Sequence, residues 1–518
     1  MTTDTQLDTL EAKGLIRLAA AMPELEYLFR HWLVQDTAYG SLLKQERKAL
    51  HGQVGEAIEA LYPDRRDELA AVLGMHFEEA GDNEKAVAYL AAAGRYAIDR
   101  NAIQEAFSAY DRAAALLPPA TAEDDQALRR RRVEIELGRS KASWTFRNIN
   151  EVITDLEAAA DDAEQLGDLQ LIAEVHLMLA LSRLQTGDMA ADPVVRRSLD
   201  RVTEIGEQLG DTSLRALPLA LAGLMQVFTG PVRAGVEALE EAVPLMEGHK
   251  DMIGAAFARG SLAMGYATLG EFDKAEVASA NATELAKSAD LIAQLDAQIA
   301  ESMLRSSRGQ VDLAIPIARA CVNRATETGA SACVMASSFV LGDLLHREGR
   351  FEEAKTALKR GRDLSLVVDR MAWRPTLVAW LGGATAALGE TPEDQWDEVL
   401  ATTRSIHNTM GEAGILAKRG EAAARRGDIA AAGPDFEAAV AILEAEGARP
   451  ALARVLRTWG EALRAAGRTA EAEPTLRRSL ALFEELGIPG EAGVVRTLLS
   501  LGGQTIAFGG DEAASPDV

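Results

Sequence analysis

Apolar residues recur along this chain at the three- and four-residue steps that place them on one side of a helix. In the last unit of the pattern, Leu456, Trp459 and Leu463 share one face of a first helix. Leu476, Leu480 and Phe483 share one face of a second. The same pattern returns along most of the sequence, so the reading begins with its period. The pentapeptide Glu-Gln-Leu-Gly-Asp occurs at 164–168 and again at 207–211. A turn residue recurs at Arg147, Gly187, Gly230 and Gly270, and then at Gly309, Gly349, Gly389, Gly427 and Gly467. The steps between them are 38 to 43 residues.

Small residues keep the same register. Seven positions before the turns stand Gly223, Ala263, Ser302, Gly342, Gly420 and Gly460, among others, and twelve positions after them stand Ala242, Ala282, Cys321 and Ser479. A second turn glycine often follows the first by twenty residues, as at Gly167, Gly329, Gly447 and Gly487. Each unit therefore reads as two helices of similar length joined by glycine turns, since glycine accepts the left-handed conformation that ends many helices. Small residues allow neighbouring helices to cross closely. One helix pair cannot bury an apolar face, whereas stacked pairs can, so the period predicts a solenoid.

This register resembles the tetratricopeptide repeat (TPR), with Trp459, Gly460, Leu463, Ala472, Leu476 and Ser479 standing at its signature positions. The unit of about 40 residues exceeds the usual 34. The resemblance implies longer helices, as in TPR-like arrays attached to bacterial signalling ATPases, and covers residues 125–500. Two units depart from it. The one after Gly187 carries an insertion with Pro193, and the one after Gly389 has Asp394 where alanine is expected.

A second resemblance lies near the N-terminus. Phe29, Arg30, His31, Leu33, Ala38, Tyr39 and Leu42 match a stretch that closes a winged-helix domain in STAND-type or AAA-like ATPases fused to class III adenylate cyclases or transcriptional regulators. Leu7 to Ile16 looks like the last helix of that winged helix. The likeness implies a regulatory context, with the chain beginning inside the winged helix and the catalytic parts on another polypeptide, or a truncated member of the family. His31 corresponds to a histidine that senses nucleotide phosphates in related switch ATPases, a role here only with an ATPase in trans. No phosphate-loop motif G-x-x-x-x-G-K-[ST] occurs in the chain.

Composition narrows the function classes. The 518 residues carry 79 acidic and 54 basic side chains, a net charge of −25. Such a field repels phosphate, so neither nucleic acid nor an anionic membrane is an expected partner. Aromatics are 5%, in keeping with helices rather than a β-sandwich. The N-terminus has no basic stretch followed by an apolar one. The longest charge-free run, between Arg215 and Arg233, is interrupted by Pro218 and Pro231 and is too short for a span. Two cysteines make no disulfide framework, which suits a cytoplasmic protein. Cys321 takes a small-residue position and reads as a buried thiol.

No catalytic constellation stands out. The seven histidines form no H-x-x-x-H or H-E-x-x-H pair, so zinc is not expected. The basic run Arg129–Arg132 reads as a solvated helix face pairing with Glu134 and Glu136. Neither enzyme activity, cofactor nor metal is expected of this chain.

A partner surface can be placed from the register. Positions three before, one after and four after the small residue should line the inner face. They are Leu177, Leu181, Leu184 and Leu224, then Val227, Met264, Ile299 and Met303 in the early units. In later units they are Asp343, His346, Arg457, Glu461 and Arg464. One reading is a groove, apolar and then charged, that accepts an amphipathic helix. The other is that tight winding buries the leucines and methionines as core.

The expectation is an all-α fold: a TPR-like α-solenoid superhelix with a small winged-helix remnant. The remnant is expected at 1–45, a helical linker of TPR-like helices at 46–120, the array at 121–501 and a disordered tail at 502–518. The function expected is non-catalytic protein or peptide binding in bacterial signal transduction. The alternative is the sensor portion of a class III adenylate cyclase or STAND ATPase, working with a separate catalytic chain.

Overall fold

The computed structural model describes residues 3–20, 26–100, 102–121, 125–143, 146–186, 193–248, 252–289, 291–368, 373–391, 396–501 and 508. Most of the expected tail, and Gly187 and Asp394 of the two divergent units, lie outside the described residues. Among those residues stand 25 α-helices and one two-stranded antiparallel sheet. The chain divides into two compact units, Met1–Asp124 and Asp125–Val518.

In the first unit, helix Thr3–Ala12 leads into strands Ile16–Ala20 and Glu26–Phe29, and five α-helices follow. Tyr39 Oη lies 3.0 Å from His51 Nε2, and His51 Nδ1 lies 2.9 Å from His76 Nδ1, which ties three successive helices together. The core here gathers Leu73, Phe77 and Ala86, with Tyr89 stacked on Phe77. His31 is exposed at the N-cap of helix Trp32–Ser41 and makes no side-chain capping bond.

The second unit is the repeat array. Its turn glycines do what the period requires: Gly230, Gly270, Gly309, Gly349, Gly389, Gly427 and Gly467 all have positive φ. The Glu-Gln-Leu-Gly-Asp repeat shows the mechanism. Gly167, at φ 70°, ends helix Ile149–Leu166, and Asp168 caps the next by accepting from the Gln170 and Leu171 N–H groups. Asp211 caps helix Thr212–Thr229 in the same way, after Gly210.

The small residues mark the crossings. A Cβ added at Gly460 would stand 2.5 Å from Leu476 Cγ, and one at Gly223 would stand 2.7 Å from Leu239 Cγ. Gly342 meets Leu358 in the same manner. Each such leucine is fully buried, worth about 1.5–3 kcal/mol of transfer free energy. Arg129 pairs with Asp162 of the following helix at 2.6 Å and Arg130 with the capping residue Asp168 at 2.7 Å, while Glu134 is 3.8 Å from Arg130. Both cysteines are buried, and burial pushes the Cys321 thiol up to about 12.

The array also returns on itself. Glu446 Oε2 accepts the Val232 N–H, 214 residues away, at 3.1 Å. The Thr409 hydroxyl lies within hydrogen-bond reach of both Glu446 Oε1, at 2.7 Å, and the Thr229 carbonyl, at 2.9 Å. Further along, Arg454 donates to the carbonyls of Ser306 and Ser307 at 3.0 and 2.9 Å. These contacts join early and late units of the solenoid around its inner surface.

Candidate functional site: a cavity on the inner face

The first helices of successive units converge on one cavity of about 650 Å³. Its walls differ in chemistry. One is aromatic and apolar: Phe228 and Trp373 pack edge to face at 5.6 Å, Phe339 and Trp380 at 5.1 Å, and Met303 and Met410 lie beside them. The other is charged, with Arg347, Lys418, Arg425, Arg454 and Arg457 facing Asp343, Glu348, Glu421 and Glu461.

Networks hold the charged wall in place. Glu421 takes three partners: His346 Nε2 at 2.9 Å, Lys418 Nζ at 3.2 Å and Arg425 Nη2 at 3.1 Å. Burial alone would raise its carboxyl, but the Lys418, His346 and Arg425 charges override burial and hold it well below the usual range. Asp343 accepts the Trp380 indole N–H at 2.9 Å and stands 3.5 Å from Arg347. Its carboxyl, too, is kept low against burial by Arg347, Lys418 and that indole N–H. Glu491, paired with Arg454 at 2.7 Å and Arg457 at 3.1 Å, is lowered in the same way.

Two groups shift the other way. Burial, opposed by Arg457 and aided by Glu421, pushes the Glu461 carboxyl up. Burial and the neighbouring Arg454 charge push the Arg347 guanidinium down to about 10. The wall thus carries five cationic and four acidic groups, with Glu491 as a fifth acid paired to Arg454 and Arg457, inside a chain of net charge −25. No group of three or more His, Cys, Asp or Glu among the described residues could hold a metal.

The expected partner residues divide between two environments. Leu184, Val227, Met303, Asp343, His346, Arg457 and Glu461 line the cavity. Leu177 and Leu181 pack with Leu184, Val195 and Leu221. Leu224, Met264 and Ile299 belong to the large central core. Arg464 is buried away from the cavity lining. Sequence reasoning passed over Phe339, Ala417 and Glu421, yet the same register signals them: they stand three before Gly342, three before Gly420 and one after Gly420. No such signal marks Trp373, Arg454 or Phe508, which the fold brings to the cavity from outside that register.

Comparison with known proteins agrees with the architecture. A tetratricopeptide repeat family model matches residues 412–485. An uncharacterized protein of Rhizobium meliloti (strain 1021) is 33% identical over 104 residues, 19% of this chain. The match spans only 10% of that relative's length. Among solved structures, a Rap protein complexed with competence and sporulation factor superposes with a TM-score of 0.51 at 13% identity, over 68% of this chain and 98% of its own. No helix among the described residues is long and apolar enough to cross a membrane. The chain therefore folds as a TPR-like α-solenoid, and its tetratricopeptide repeat match takes in Lys418, Glu421, Arg425, Arg454, Arg457 and Glu461 of the charged wall.

Proposed function

We propose that this chain is a non-catalytic scaffold that captures a protein or peptide segment in the inner cavity, in the service of signal transduction. The cavity itself carries the reading. An aromatic wall facing a charged wall can bury an apolar side chain while meeting the polar backbone and charges beside it. A volume of about 650 Å³ suits several side chains of a peptide. Complex formation by the Rap protein of like fold is in keeping with this, as an analogy of architecture. Val227, Met303, Asp343, His346, Arg457 and Glu461 are the contact residues proposed from both register and cavity.

The test is selection of a random peptide library against the folded protein, compared with the cavity-filling variants Thr458→Trp and Ala451→Trp. Peptides enriched on the parent and lost on a variant of unchanged helicity and melting temperature support capture in the cavity. No enrichment, or peptides that bind parent and variants alike, overturns it.

A second reading has its own observation. In the first unit Leu28, Trp32, Leu33 and Leu43 are exposed, Trp32 at 71%, and an apolar face of this kind suits docking of another domain. We therefore propose, as the alternative, that residues 1–45 are a winged-helix remnant through which the chain serves a signalling ATPase or class III cyclase carried elsewhere. Stoichiometric, His31-dependent protection of ATP by a co-purified ATPase would favour it. Unaltered ATPase behaviour on adding this chain would sink it.

A further inference from the structure

Three guanidinium groups crowd one corner of the charged wall. Arg347 ends helix Ser331–Arg347, and Arg454 and Arg457 lie on helix Arg449–Ala465. Two of them share one carbonyl oxygen, that of Ser306, at 3.4 Å from Arg347 Nη2 and 3.0 Å from Arg454 Nη2. Among the described residues one carboxylate is hydrogen-bonded to the corner: Glu491 accepts from Arg454 Nε at 2.8 Å and from Arg457 Nη1 at 3.1 Å. Asp343 stands 3.5 Å from Arg347 Nε, and Glu461 stands 3.4 Å from Arg457 Nε. Neither makes a hydrogen bond there, and both Nε N–H groups are buried without an acceptor. Unpaired buried donors are uncommon in proteins, because each keeps the full desolvation cost of its group.

The charges agree with the missing acceptor. Glu348 is exposed, so water screens it. The rest of the wall sets Arg347, Lys418, Arg425, Arg454 and Arg457 against Asp343, Glu421, Glu461 and Glu491. With His346 neutral, one positive charge is unmatched. Burial and the Arg454 charge hold the Arg347 guanidinium down to about 10, as for a cation short of counter-charge. One carboxylate restores the balance, whereas a phosphate dianion oversteps it, and the planar guanidinium fork suits a carboxylate. Asp343 joins this corner to the aromatic wall, with one oxygen on the Trp380 indole N–H at 2.9 Å and the other towards Arg347.

We propose that Arg347, Arg454 and Arg457 form a subsite for the carboxylate of an aspartate or glutamate in the captured segment, with a large apolar side chain of the same segment against Trp380 and Phe339. This rests on the reading of the cavity as a capture site and names the class of segment it takes. A side chain is the source, rather than a chain end. Backbone N–H and C=O groups carried into the corner would need partners of their own. Glu491, the Ser306 carbonyl and one oxygen of Asp343 are already engaged there. An acidic side chain brings its carboxylate in on bare methylenes.

The experiment uses the full chain and two random peptide libraries, one with free C-terminal carboxylates and one acetylated and amidated. The amidated library should enrich peptides that carry an acid close to a large apolar residue. Changing that acid to its amide should weaken binding about ten- to hundredfold, the weight of a charge-assisted hydrogen bond. The same change should have little effect on the Arg457→Gln protein, because the two changes remove one interaction. Where Arg457→Gln lowers helicity, the acid-to-amide comparison on the parent decides. Enriched peptides without an acid, enrichment of the free-carboxylate library alone, or an equal loss in parent and Arg457→Gln protein overturns the proposal. Acid-free peptides lost on Thr458→Trp would leave cavity capture standing while the carboxylate subsite falls. No enrichment from either library overturns both.

Discussion

His346 and Glu421 lie 75 residues apart in sequence and meet at 2.9 Å inside the array, Nε2 against Oε1. They belong to helices Ser331–Arg347 and Thr409–Arg425, whose units are not adjacent. The contact is therefore a property of the superhelix rather than of either repeat. Around it the polar wall of the cavity is organised, with Glu421 as the shared anion of His346, Lys418 and Arg425.

Removing that anion leaves buried positive charge without its partner. Glu421→Ala is expected to destabilise the array by about 3–5 kcal/mol, the usual cost of breaking a buried pair from one side. Glu421→Gln should cost less, because the amide still accepts a hydrogen bond. The carboxyl is held well below its ordinary value, so its contribution is complete above the unfolded-state value and is lost as pH falls through the depressed one. Urea denaturation across the acid range should show the gap between parent and Glu421→Gln persisting below the ordinary carboxylate range before it closes.

Glu461 behaves in the opposite sense. Burial raises its carboxyl, so the folded state favours the protonated form, and stability is lost as pH rises through the raised value. Glu461→Gln mimics the protonated acid. It should raise the melting temperature at neutral pH, with the difference vanishing as pH falls into the carboxylate range. Equal melting temperatures at neutral pH would contradict the assigned direction.

Helix crossings give a paired test. At Gly460 an added Cβ meets Leu476 Cγ at 2.5 Å, while at Gly493, in helix Pro489–Ser500, it meets nothing within 4 Å. Gly460→Ala should destabilise by about 1–3 kcal/mol through overpacking. Gly493→Ala should stabilise by about 0.5–1 kcal/mol through helix propensity. Urea midpoints of the two variants should move in opposite directions.

Glu446 closes the solenoid. Its carboxylate takes the Val232 N–H at 3.1 Å and the Thr409 hydroxyl at 2.7 Å. Glu446→Ala leaves the amide of buried Val232 without an acceptor and should cost about 1–3 kcal/mol. Hydrogen exchange should quicken at Val232 while amides in Gln126–Ser143, far along the array, keep their parent rates.

The sequence by itself determined the repeat. Turn glycines such as Gly270 and Gly467 take left-handed φ, and small residues such as Gly342 and Gly460 sit where helices touch. Both follow from local constraints that each unit states again: a residue without Cβ is needed where the backbone turns back, and where a facing leucine enters. The helical face of each expected partner residue was legible for the same reason. What that face meets was not. Leu184 and Leu181 stand three residues apart on one helix and pack in one core cluster, yet only Leu184 also lines the cavity. Asp343, His346, Arg457 and Glu461 come together with Lys418 and Arg425 only because the winding brings distant units around one space. Periodicity fixes orientation about a helix axis. The curvature of the stacked array, and contacts such as Glu446 with Val232 across 214 residues, decide which oriented side chains share a cavity and which are sealed into the core.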